Sequence, residues 1–123
     1  MTPSGLTVKI IGNSALVLAT IITGIILHRT GRPYNGLIFT IHKLVTIAFV
    51  ILIARILIVH IHSHGTTALF LTLLVLSALS VIILAFSGGA MSLDKMYNSM
   101  LIVHRIATAI FIVCIAGIFY TIL

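Results

Sequence analysis

Acidic side chains are almost missing from this chain: Asp94 is the only one among 123 residues, and glutamate is absent. No apolar stretch holds a carboxylate, which argues strongly against proton-coupled antiport, since that exchange needs an acid buried in the membrane. Charge of either sign is scarce. Charged residues make up 7% of the chain, against about 25% in a soluble domain, so the sequence reads as an integral membrane protein. The single cysteine, Cys114, excludes an intrachain disulfide. A Gly-rich phosphate loop after a strand, a Ser-His-Asp order and a carboxylate pair are all lacking, which leaves hydrolase and transferase chemistry unsupported.

Apolar runs fill the space. Hydrophobic residues account for 61% of the chain and mean hydropathy is +1.37. At about 20 residues per membrane span, this length holds four helices and little else. The spans are expected at about 6–28, 37–62, 67–86 and 97–123, separated by polar loops at 29–36 and 87–95 and a short turn at 63–66. No basic segment with a cleavage site precedes the first run, so it is expected to be a retained span. The fold class is all-α: an integral membrane up-down four-helix bundle.

Seven cations against one acid give a net charge of +6. The cations are scattered, which bears on topology and anionic lipid, and nucleic acid is not an expected partner. Arg29, Arg32 and Lys95 lie in the 29–36 and 87–96 loops (side A), with Lys43 and Arg105 near the same interface; Lys9 and Arg55 lie towards side B. The positive-inside rule then puts side A in the cytoplasm and both termini outside.

One octapeptide pattern occurs twice. Residues 42–49 read His-Lys-Leu-Val-Thr-Ile-Ala-Phe, and residues 104–111 read His-Arg-Ile-Ala-Thr-Ala-Ile-Phe. His, Thr four residues on and Phe seven residues on share one helical face. A Tyr-Asn pair precedes each copy, at Tyr34-Asn35 and Tyr97-Asn98, and Thr23–Leu27 resembles Ser80–Leu84 further upstream. The chain therefore reads as two parallel helical-hairpin repeats.

His42 and His104 each lie about 8–10 Å inside side A, from a rise of about 1.5 Å per residue. Imidazole at that depth is a functional candidate by default. Two such rings can supply both axial ligands of a haem iron, or can simply pack helices by hydrogen bonding to Ser, Thr or backbone. Lys43 and Arg105 can snorkel to side A and meet haem propionates or lipid phosphate. Thr46 and Thr108 are placed to bond the carbonyl of their histidine, and Phe49 and Phe111 to wall a ring. Gly24, Ser80 and Gly117 leave room for a flat ring or a close helix.

These flanks, one histidine near the same end of two helices and each followed by a cation, resemble the small membrane b-type cytochromes, which include haem-bearing anchor subunits and quinol-linked cytochromes b. The resemblance implies one haem b per chain on His42 and His104. It also implies electron transfer between quinone and a redox partner subunit, or within a homodimer, with no stand-alone enzyme activity. Haem-free readings are a membrane anchor or a small channel or transporter subunit.

His60, His62 and His64 form a second candidate group with Arg55 and His28: a metal site, a proton relay to quinone, or one ligand of a second haem completed by another subunit. Side chains merely ending a helix at the interface are the plainer reading. Arg55, seven residues before His62, is expected deep enough to cost about 2.5–3.5 kcal/mol if unpaired. His28 ends the first span at side A, with Ala85 as its counterpart in the second repeat.

Overall fold

In the computed structural model, which describes residues 3–122, the chain is all-α: α1 (Pro3–Thr30), α2 (Gly36–His64), α3 (Ala68–Ser92) and α4 (Tyr97–Ile122). No strand occurs among the described residues. All four helices are long and apolar enough to cross a membrane, with mean hydropathy of 2.2–2.8 over their spans. In lipid the helix is what satisfies every backbone N–H and C=O within one segment, so apolar β-branched sequence that would favour strands in water is helical here. The chain divides into two compact units, Met1–Ser63 and His64–Leu123, each in essence one helical hairpin.

Local chemistry marks the helix starts. Asn35 caps α2, its Oδ1 accepting from the N–H groups of Leu37 (3.0 Å) and Ile38 (3.2 Å). Thr67 caps α3, its hydroxyl oxygen accepting from the Phe70 N–H at 3.2 Å. The two Tyr-Asn pairs are thus not equivalent: Asn35 precedes its helix, whereas Tyr97-Asn98 is the first turn of α4.

The helices overrun the expected spans, most of all in α3. Residues 87–92, read as loop from Gly88-Gly89, continue the helix to Ser92. A helical Gly costs only about 1 kcal/mol relative to Ala. The end comes with a Schellman turn: the Lys95 N–H donates to the Ala90 carbonyl and the Asp94 N–H to that of Met91, both at 3.0 Å. Asp94 occupies the left-handed position with φ 59°. The one acid of the chain is therefore a helix terminator. Asp94→Gly is expected to raise the thermal unfolding midpoint, and Asp94→Val to destabilise by about 1–2 kcal/mol, both readable by thermal melts in detergent.

Within the first hairpin, α2 buries Phe49, Ile53 and Leu57 on the face that also carries His42, while α1 buries Asn13 and Leu27. In the second, α3 contributes Phe70, Ser77, Ser80, Ser87 and Met91, and α4 contributes Ala107, Phe111, Cys114, Ile115 and Ile118. The serines let the helices close up: their hydroxyls bond carbonyls of their own helix, with Ser77 to Leu74 and Ser80 to Leu76 both at 2.8 Å. Gly117 serves the same end, since a Cβ there would lie 3.0 Å from Leu73 Cδ1. Of the small residues named from sequence, Ser80 and Gly117 are packing positions.

Candidate functional site

Each hairpin holds one half-buried imidazole by the same device. In the first, His42 Nδ1 lies 2.9 Å from the Thr23 hydroxyl on α1. The next residue, Gly24, faces the ring edge: a Cβ built there would stand 3.2 Å from His42 Cε1 and 3.8 Å from Nδ1. In the second, His104 Nδ1 lies 2.9 Å from the Ser87 hydroxyl on α3, and a Cβ on Gly88 would stand 3.5 Å from His104 Cε1. A hydroxyl-glycine dipeptide on the first helix thus seats a histidine on the second, twice. The hydroxyl takes the polar edge of the imidazole, and the missing side chain makes room for the carbon edge.

The repeat register read from sequence needs correction here. Thr23 is matched by Ser87, two turns beyond Ser80, and His28 is accordingly matched by Ser92 rather than Ala85. Apolar Ile-Ile-Leu runs recur by composition and align almost anywhere. Thr23, Ser87 and Gly88 were missed for that reason, and because 87–95 was read as loop. The available signal was the dipeptide itself, Thr-Gly 19 residues and Ser-Gly 17 residues before a histidine.

The octapeptide behaves alike in both hairpins. The Thr46 hydroxyl donates to the His42 carbonyl at 2.7 Å, and that of Thr108 to the His104 carbonyl at 2.8 Å. Each bond returns the threonine to its own helix in place of an unsatisfied hydroxyl in lipid. Phe49 and Phe111 are buried, at 5% and 8% exposure, one on each histidine-bearing face. Lys43 and Arg105 are exposed. Lys43 leans back one turn towards side A, with its Nζ 5.2 Å from the centroid of Phe39, which itself stacks on Tyr34 at 5.9 Å. This cation–aromatic stack holds the ammonium at the interface end of α2.

The second candidate group looks different. His62 is exposed and its Nδ1–H donates to the Ile58 carbonyl at 2.9 Å, an attachment to its own helix. His28 and His64 are exposed and His60 is half-buried. Among the described residues, no three His, Cys, Asp or Glu side chains gather into a group able to hold a metal ion. Arg55 is exposed on the α2 face opposite His42. The antiparallel register of Thr23-Gly24 against His42 brings Lys9 level with residues 56–57, one step from Arg55. Between Lys9 and His28, α1 has 18 uncharged residues, about 27 Å at 1.5 Å per residue and so close to one hydrocarbon thickness. Arg55 therefore sits at the side B boundary, shallower than its distance from His62 implies.

Comparison with protein-family models, with curated proteins and with solved structures finds no match for this chain.

Proposed function

We propose that this is a membrane electron-transfer protein that binds one b-type haem through Nε2 of His42 and Nε2 of His104. The supporting observation is the shared seat of the two imidazoles: each is tied at Nδ1 to a hydroxyl and packed at Cε1 against a glycine. Axial histidines are commonly oriented through the nitrogen that does not touch the metal, and this donor set fits that chemistry. Haem, when bound, supplies one-electron redox chemistry. The chain's own residues do the rest. The seats orient the ligands, Phe49 and Phe111 keep water from them, and Lys43 and Arg105 attract propionates at side A. Cations there disfavour loss of an electron and raise the reduction potential.

Quinone, a redox partner subunit or a second copy of the chain would exchange electrons with the haem, and lipid surrounds the helices. Side A faces the cytoplasm and the termini lie outside it. The rival reading, a haem-free anchor or channel or transporter subunit, draws on the same bonds, since two helix-packing imidazoles would also be satisfied at Nδ1.

A pyridine haemochrome assay on the purified protein separates the two. The proposal expects haem b at about one per chain and a b-type α band on reduction; colourless protein from haem-replete cells sinks it. Replacing His60, His62 and His64 together, or His28 alone, by alanine is expected to leave that spectrum unchanged. A loss of colour in either variant would move a ligand to the second group.

A further inference from the structure

We propose that Thr23 and Ser87 are positioning residues that hold His42 and His104 as the Nδ1–H tautomer, so that the unprotonated lone pair is on Nε2 in both hairpins. The purpose assigned to this arrangement rests on the haem reading; the tautomer itself does not.

The direction of each hydrogen bond follows from where the hydroxyl proton goes. Thr23 Oγ1 is 2.7 Å from the Ala19 carbonyl and 3.1 Å from that of Thr20. A carbonyl only accepts, so the one hydroxyl proton is committed along α1. Towards His42 the oxygen offers a lone pair, and the proton in that 2.9 Å bond comes from Nδ1. A hydroxyl donating to Nδ1 instead would leave two oxygens 2.7 Å apart with no proton between them. Ser87 is fully buried, with its Oγ 3.3 Å from the Leu84 carbonyl and 2.9 Å from His104 Nδ1, which gives the same direction.

The glycines complete the device. With Cε1 over Gly24 or Gly88, turning the ring over would put Cδ2 against the hydroxyl and leave that oxygen without its donor in an apolar span. A neutral imidazole in water prefers the proton on Nε2, and both hairpins reverse that preference. A hydroxyl is also a weaker acceptor than a carboxylate. It orients the ligand without drawing the Nδ1 proton away, which keeps the imidazole neutral and a moderate donor to iron.

The test uses the full-length chain, haem-free, in detergent micelles at mildly alkaline pH, with 15N-labelled histidine and two-bond 15N–1H correlation. His42→Gln and His104→Gln assign the signals. Expected are Nδ1–H patterns for both residues. Thr23→Val, nearly isosteric but without the hydroxyl, should shift His42 alone to mainly Nε2–H, and Thr23→Ser should restore Nδ1–H; Ser87→Ala and Ser87→Thr should do the same for His104. Nε2–H patterns in the unmodified protein, or no response to Thr23→Val in a variant whose other histidine signals are unchanged, overturn the proposal. With haem bound, Thr23→Val should change the midpoint potential and the g-value spread of the ferric haem while haem content stays, and Thr23→Ser should reverse both. Haem that binds normally with potential and g values indifferent to both hydroxyls also overturns it. Tautomers as expected in a chain that never takes up haem would sink the functional reading and leave the tautomer assignment standing.

Discussion

His42→Ala and His104→Ala are each expected to abolish the low-spin haem spectrum. Either loss leaves iron with one protein ligand, and a five-coordinate high-spin centre is both spectrally distinct and weakly held. Haem-to-protein ratio after purification, together with the reduced α band, gives the measurement. Retention of a low-spin spectrum in His104→Ala would show that another side chain completes the iron and that the matched register is a coincidence of helix packing. The two variants should behave alike because the two seats are alike.

Gly24 is expected to be the least replaceable position outside the histidines. Alanine there brings a Cβ to 3.2 Å from His42 Cε1, so the ring must yield by a few tenths of an ångström, against the hydroxyl bond that holds it. Gly24→Leu adds a branched side chain where the imidazole lies. Overpacking of this kind typically costs about 1–3 kcal/mol, and turning His42 out of its seat should cost haem binding as well. Gly88→Ala is the contrast: its Cβ meets His104 Cε1 at 3.5 Å, an ordinary contact, and haem binding should survive. Haem titration and thermal melts on the three variants check the order. Equal sensitivity at Gly24 and Gly88 would mean that the ring-glycine contact does not govern ligand placement.

Much of the architecture was legible because lipid leaves the backbone so few choices. Four long apolar runs with breakers between them become four helices whatever their internal propensities. The octapeptide was legible for a similar reason, since offsets of four and seven fall on one helical face in any α-helix. The bonds of Thr46 and Thr108 to the carbonyls of His42 and His104 need nothing beyond that helix.

What escaped lies in pairs of residues brought together by folding. Gly88-Gly89 is a breaker by local propensity, yet Gly88 sits inside α3 with the His104 ring against it. Ser87 looked like the start of a loop and is instead a fully buried hydrogen-bonding group. The level of Arg55 could not be counted along α2 alone; it follows from the alignment of α1 against α2, which puts Lys9 beside it.

By itself the sequence determined that this protein is helical and membrane-spanning and that two histidine stripes recur in register, because hydropathy and helical period act along a single chain. Only the tertiary structure decided which hydroxyl meets which imidazole and which glycine seats it. Those contacts depend on the depth at which one helix slides past the next, and an apolar face leaves that depth open until the side chains interlock.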